Sequence, residues 1–162
     1  MSVDLFRIDD RLIHGQVVVG WGRPLDIRFI ALVDDEVAAS DWEQELYRMG
    51  VPAEMDVYFD SVESATRRLP SYIEDVRRGI VLTGDVETMR ALAATSPGVT
   101  HVNLGGLHYR AGRSERLRYV FLTPDEEALL RELDAAGVKV EAQDVPSAPA
   151  IPLSELLAAG AT

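Results

Sequence analysis

The sequence predicts an α/β protein, an open and mostly parallel twisted sheet with helices on both faces, in one domain over residues 1–162. Three observations predict it. Short apolar runs alternate with amphipathic stretches along the whole chain, the pattern of strand–helix–strand units. Several of those runs are continuous in Val, Ile and Leu, as strands covered on both faces require. The length, with 47% hydrophobic and 27% charged residues, suits a domain with a sizeable core.

Val3 to Ile8 reads as the first strand. Gly15 to Trp21 reads as a short helix, broken by Gly22 and Pro24. Asp26 to Val33 suits a buried parallel strand, with Asp34 and Asp35 as loop acids at its carboxyl end. Ser40-Asp41-Trp42-Glu43 is a capping-box pattern. The helix it opens carries Trp42, Leu46 and Met49 on one face and stops at Gly50 and Pro52. Glu54 to Phe59 alternates as a third strand. Asp60 or Ser61 caps a helix to about Leu69, where Pro70 is expected to interrupt it before a second helical piece, Tyr72 to Arg78.

Gly79 to Thr83 is a fourth strand, and Thr83-Gly84-Asp85 opens a helix with Val86, Met89, Leu92 and Ala93 inward. Ser96-Pro97-Gly98 is a turn, and Thr100 to Leu104 is a fifth strand. Residues 107–121 are the least regular: Ala111-Gly112 either turns a small hairpin or carries an excursion before a short strand at Tyr119 to Leu122. Thr123-Pro124-Asp125-Glu126 supplies an N-cap, a proline at the first helical position and a capping-box glutamate. That helix runs to Ala136 with Leu129, Leu130 and Leu133 inward, and Gly137 ends it. Val138 to Ala142 is a last strand, Pro146, Pro149 and Pro152 mark an extended segment, and Ser154 starts a terminal helix.

Charge and composition exclude several classes of function. The net charge of −11 argues against general binding to nucleic acid or to an anionic membrane surface. No run of 18 apolar residues and no basic segment leading into an apolar one is present, so neither membrane insertion nor export is expected, and a cytoplasmic site follows. With no cysteine there is no disulfide and no thiolate metal site. Lys139 is the only lysine, which removes any lysine nucleophile from the N-terminal region.

The chemistry concentrates in Arg7-Ile8-Asp9-Asp10-Arg11-Leu12-Ile13-His14-Gly15-Gln16-Val17, at a predicted strand-to-helix junction. Open α/β sheets bind ligands at the carboxyl ends of their strands, and the following helix aims its N–H groups at the same place. A neutral imidazole is a nucleophile near pH 7. Arg11, three residues before His14, has a fork of donors that can hold phosphate oxygens. Asp9 or Asp10 can accept the other ring N–H of His14 and fix its tautomer. The constellation fits a histidine that accepts and donates a phosphoryl group; the alternative is a solvated polar turn with a capping histidine.

Other residues have two readings each. Thr83 is a phosphate contact or a helix cap, and Gly105-Gly106 either line the site with backbone N–H groups or make a plain turn. Gly15 and Gln16, beside His14, are loop contacts of the same kind. Asp9, Asp10, Asp34 and Asp35 can be imagined around Mg²⁺, but pairing with the imidazole or with Arg11 is the preferred role. His101 reads as a satisfied core histidine, His108 as a residue at the rim of the site, and Trp21 as a core anchor before a docking face. Arg110, Arg113, Arg116 and Arg118 read as a solvated basic face in preference to a dock for a phosphorylated partner. Neither a dinucleotide nor a P-loop fingerprint occurs, so no ATP site and no nucleotide cofactor are expected, and three scattered histidines without metal-ligand spacing give no zinc site.

The segment Arg7 to Val17, followed by Trp21, resembles the active-site segment of the IIB components of the mannose/fructose/sorbose family, in the bacterial phosphoenolpyruvate-dependent sugar phosphotransferase system. The resemblance extends to Val33-Asp34-Asp35-Glu36-Val37-Ala38, to Val102-Asn103-Leu104-Gly105-Gly106-Leu107 and to Val138 through Pro146, in the family's order. It implies an open, mostly parallel sheet. It implies His14 as the residue phosphorylated, at Nδ1, with no metal. It also implies a phosphorylated IIA protein or domain as donor and a sugar bound by the membrane components IIC and IID as acceptor. A regulatory phosphoreceiver of the same fold is the alternative. Val18-Val19-Gly20 is more apolar than the family's threonine-containing stretch, and Leu82 to Asp85 lacks its Asn-Pro character.

Overall fold

The structure is a computed structural model that describes residues 3–158; residues 1, 2 and 159–162 of the expected domain lie outside the described residues. Seven strands form one sheet in the order β3-β2-β4-β1-β5-β8-β9, with β1 Val3–Ile8, β2 Phe29–Val33, β3 Asp56–Asp60, β4 Gly79–Thr83, β5 His101–Leu104, β8 Lys139–Ala142 and β9 Ile151–Pro152. All neighbours pair in parallel except β8 and β9, which are antiparallel. A separate hairpin joins β6 Ser114–Leu117 to β7 Val120–Leu122.

The strands are buried on both sides because their apolar residues alternate between two cores. Phe29, Ala31 and Val33 face one core, and Ile30 and Leu32 the other. The first core is covered by α3 Val62–Glu74, α4 Val86–Thr95, α5 Pro124–Ala135 and α6 Leu153–Ala158. The second is covered by a π-helical turn, Gln16–Trp21, and by α1 Asp35–Ala38 and α2 Asp41–Met49. Helices on both faces are thus the observed class, as the sequence predicts.

Helix starts follow local chemistry. Asp34, Ser40, Ser61, Asp85 and Thr123 each accept a backbone N–H three residues on, and Thr123 with Glu126 completes the capping box. Thr83 caps nothing; Asp85 does.

Four elements depart from the expectation or settle it, each for an identifiable reason. Pro70 does not interrupt α3, which runs through it to Glu74. Pro70 is exposed, so the carbonyl it cannot serve is left on the solvent side, while buried Leu69 and Tyr72 hold the helix against the core. The segment 22–26 turns before β2, with Asp26 at φ 52°, so the strand starts at Phe29. Of the two readings of Ala111-Gly112 the excursion holds: the hairpin turns at residues 118–119, and Gly112, at φ 90°, turns the approach to it before the short strand β7. Trp42, Leu46 and Met49 do share a face of α2, but it points to solvent, and the helix buries no residue.

Candidate active site

The loop after β1 lies where the strand order reverses, with β4 on one side and β5 on the other. It is tied to both: Asp9 N–H donates to the Thr83 carbonyl (2.9 Å) and Asp10 N–H to the Gly106 carbonyl (2.8 Å). A tight turn follows, closed by Leu12 N–H to the Asp9 carbonyl (3.0 Å), with Leu12 at φ 60°. Such a conformation is strained for a branched side chain, and here the loop's ties hold it. The turn carries the chain into the π-helix with His14 just before it, and the His14 carbonyl accepts from Val17 and Val18 N–H.

Beneath the loop lies Arg7, fully buried in the central strand. Its Nη1 donates to Asn103 Oδ1 and to the Gln143 carbonyl (2.9 Å). Its Nη2 donates to Asp9 Oδ2 (3.1 Å) and to the Asp144 carbonyl (3.1 Å). The Trp21 ring lies 5.1 Å from the guanidinium carbon, and its Nε1–H donates to the same Asp144 carbonyl (3.1 Å). Trp21 is therefore a buried lid over Arg7, 5% exposed, as its core reading expects. Burial pushes the Arg7 guanidinium below its ordinary range, and the Asp9 charge opposes that shift.

Asp9 is the hub. It is fully buried, and its Oδ1 accepts Arg11 N–H (3.2 Å) and lies 3.6 Å from Arg11 Nε. Its Oδ2 meets Arg7 and comes within 3.2 Å of His14 Nε2, a charge contact and not an aligned hydrogen bond. Burial alone would raise the carboxyl; the contact with His14 and the Arg7 charge outweigh it and hold Asp9 at about 2. Because the folded value is lowered from 3.8, the carboxylate stabilises the fold above about pH 4, and this contribution is lost as pH falls toward 2. Asp9→Asn is expected to cost on the order of 2 kcal/mol near pH 7 in urea unfolding, with the gap to the parent narrowing between pH 4 and pH 2.

His14 thus has two unlike nitrogens. Nε2 is buried against Asp9, while the side chain as a whole keeps 17% of its surface exposed. Arg11 is more open, 40% exposed, and its Nη2 donates to Gln16 Oε1 (2.5 Å). Gln16 therefore holds the guanidinium, and Gly15 stands in open space with nothing within 4 Å of where a Cβ would sit.

Asp10 faces away from His14. Its Oδ2 accepts the His108 backbone N–H (2.7 Å), and its Oδ1 lies 2.7 Å from His108 Nδ1. Arg113 supports this contact: Nη1 donates to the His108 carbonyl (2.7 Å), while Nε and Nη2 grip Glu126 at 2.9 and 2.7 Å. The expected solvated basic face is thus half structural. Arg113 and Arg116 are buried side chains with carboxylate partners, and Arg110 and Arg118 are exposed. Arginines at the ends of a hairpin can fold back on a helix N-terminus rich in acids, as Glu126 and Glu127 are here.

Other expected contacts do not converge on His14. Thr83 is fully buried and its hydroxyl donates to the Asp85 carbonyl (3.1 Å). Gly105 gives its N–H to the Ile8 carbonyl (2.7 Å), and a Cβ there would stand 2.3 Å from Arg7 Nη2. Its lack of a side chain makes room for Arg7 and not for a phosphate. Gly106 does border the site, between His108, Asp9 and Arg11. His101 is no core residue: it is 52% exposed and pairs with Glu141 (2.9 Å). Asp34 caps α1 and Asp35 accepts Val62 N–H, both away from His14. Among the described residues no group of three His, Asp or Glu side chains is arranged to hold a metal ion.

Arg7 and Asn103 are the site residues that sequence reasoning passes over. A signal was present, because an arginine inside a central apolar strand must be paired. What it pairs with comes from β5 and from carbonyls some 136 residues away, which no local pattern discloses.

The family model for the sorbose subfamily IIB component of the phosphotransferase system matches residues 3–161. This chain belongs to that family. The IIB assignment extends through its relatives. The chain is 30% identical to the sorbose-specific EIIB component of Klebsiella pneumoniae over 93% of its own length and 92% of that protein. It is 28% identical to the mannose-specific EIIAB component of Escherichia coli K12 over 97% of its length, spanning 49% of that relative. The crystal structure of the IIBSor domain of the Klebsiella pneumoniae sorbose permease superposes with a TM-score of 0.88 at 29% identity, covering 98% and 97% of the two chains. A crystal structure of the N-acetylgalactosamine-specific IIB component 1 of Escherichia coli superposes with a TM-score of 0.85 at 26% identity, over 93% and 98%. As an IIB component, the chain has a phosphotransferase role in sugar uptake. Among the described residues, no helix is long and apolar enough to cross a membrane.

Proposed function

We propose that this IIB component carries a phosphoryl group on His14 Nδ1. The group comes from a phosphorylated IIA protein or domain and goes to a sugar held by the membrane components IIC and IID, on the cytoplasmic side. The observation that carries the reading is the setting of the His14 ring, with Nε2 buried 3.2 Å from the Asp9 carboxylate while the side chain still keeps 17% of its surface exposed. The mannose-specific EIIAB relative supports a IIA partner.

The chemistry follows from those positions. The Nδ1 lone pair attacks the donor's phosphorus, the donor's N–P bond breaks, and the donor ring recovers that electron pair. Positive charge then develops on the His14 ring, where Asp9 sits ready to balance it through Nε2–H. Transfer of this kind passes through a loose transition state, so catalysis is mostly positioning and charge stabilisation. Arg11, held by Gln16 and close to the Asp9 carboxylate, is the cation for the transferring oxygens, and backbone N–H groups near Gly15 and Gly106 complete the cradle. Arg7 keeps Asp9 ionised from below.

Incubation with phosphoenolpyruvate, the general phosphotransferase proteins and a cognate IIA should place one acid-labile, base-stable phosphoryl group on each chain. Absence of label from every charged IIA that the organism encodes would contradict the reading.

A further inference from the structure

We infer that His108 is a second phosphoryl-binding side chain of this site, donating from its Nε2–H to the phosphoryl group carried on His14. The inference rests on the reading of His14 given above. It begins from a histidine that is exposed and yet fixed. His108 keeps 53% of its side chain in solvent, but three hydrogen bonds hold the residue: its backbone N–H to Asp10 Oδ2 (2.7 Å), its Nδ1 to Asp10 Oδ1 (2.7 Å) and its carbonyl to Arg113 Nη1 (2.7 Å). Arg113 is itself clamped by Glu126 in the capping box of α5. An exposed side chain gains little stability from such a frame. What the frame does is aim the ring.

The aim is toward His14's neighbours. His108 Cε1, Asp9 Oδ1 and Arg11 Nε lie 3.1, 3.3 and 3.7 Å from the point where a side chain on Gly106 would begin. Cε1 is bonded to both ring nitrogens. With Nδ1 committed to Asp10, Nε2 is the nitrogen left for a ligand on the side that Arg11 also borders. A ring that gives its Nδ1–H to Asp10 and carries a proton on Nε2 as well offers the phosphoryl group a charge-assisted Nε2–H donor. The groups around the ring are Asp10, Arg113, Asp9 and Arg11, so a phosphoryl group would sit between the His108 ring and the Arg11 guanidinium. The absence of a side chain at Gly106 leaves that space clear.

The test compares the full chain with His108→Ala and Asp10→Asn. Each is phosphorylated both by a charged IIA and by phosphoramidate, a small donor that transfers its phosphoryl group to imidazole and releases ammonia. His108→Ala retains the backbone bond to Asp10, and its melting temperature reports whether the fold is intact. The expected result is a drop in phosphorylation rate by roughly tenfold to a hundredfold for His108→Ala with His14 still the labelled residue. In the parent, a slowly exchanging Nε2–H signal of His108 should appear on phosphorylation with a cross-peak to phosphorus. Asp10→Asn should weaken that signal without abolishing the label. A labelled parent lacking the signal, with His108→Ala within twofold of its rate, would overturn the role of His108 and leave His14 untouched. No label on the parent from either donor would overturn both.

Discussion

His14→Ala is expected to accept no phosphoryl group from any donor, while His101→Ala accepts it at the parent rate. The three histidines differ in what their nitrogens are already doing. His101 pairs with Glu141 across β5 and β8, at the amino-terminal end of β5 and so at the opposite end of the strands from the His14 loop, with its ring largely in solvent. His108 has one nitrogen on Asp10. Only His14 has a buried carboxylate of low pKa behind one nitrogen, with the Arg11 guanidinium on that same carboxylate, which combines a nucleophile with a partner for the charge it acquires. The loss should be chemical and not structural, because Asp9 retains Arg7 when the imidazole is gone. The unfolding free energy of His14→Ala should therefore stay within about 1 kcal/mol of the parent. A His14→Ala chain that still labels would move the reaction elsewhere; one that fails to fold would void the comparison and call for His14→Gln.

Gly105→Ala should be among the most damaging single-methyl changes in the chain. The new Cβ would stand 2.3 Å from Arg7 Nη2, 2.5 Å from Cζ and 2.8 Å from Nε. An arginine terminus can ordinarily swing aside at little cost. This one is pinned by Asn103, Asp9 and two carbonyls and lidded by Trp21, so displacement breaks a buried ion pair and its hydrogen bonds together. Disrupting a buried pair in this way costs about 3–5 kcal/mol. We expect a loss of that size in urea unfolding, with phosphoryl acceptance falling even where the chain remains folded, because Asp9 loses its counter-charge. Gly15→Ala is the matched control for the fold: it has a helical backbone at φ −53° and no atom near the added methyl, so its stability should hold or rise slightly. Equal stability of Gly105→Ala and the parent would mean that Arg7 is not held as described.

Sequence reasoning reached the sheet because its strands are long apolar runs bounded by turn residues. β1 and β4 fall where Val3 to Ile8 and Gly79 to Thr83 predict them. It reached the capping of α2, α3 and α5 because a cap is a local bond between residues three apart. The π-helical form of Gln16–Trp21 was beyond it, since a six-residue apolar stretch carries too little periodicity to separate helix types. In the site, the clustering of Asp9, Asp10, Arg11 and His14 was legible, but not which acid serves which ring. That choice depends on the turn at Leu12, which sends Asp9 inward toward His14 and leaves Asp10 for His108. Neither reading of Gly105, a backbone donor to the site or a plain turn, discloses that its missing side chain makes room for Arg7, which lies on another strand. Arg113 reads as solvated from its polar local neighbourhood, whereas its burial comes with Glu126, thirteen residues on.

The central claim is that Asp9 holds one nitrogen of His14 so that the other takes the phosphoryl group. The measurement that tests it most directly is a long-range ¹H–¹⁵N correlation spectrum of the phosphorylated chain with ¹⁵N-labelled histidine. The ring pattern distinguishes a phosphorylated Nδ1 from a phosphorylated Nε2. The account predicts substitution at Nδ1 of His14 alone, with Nε2 carrying a proton toward Asp9. A phosphoryl group on Nε2 of His14, or on His108, would contradict it.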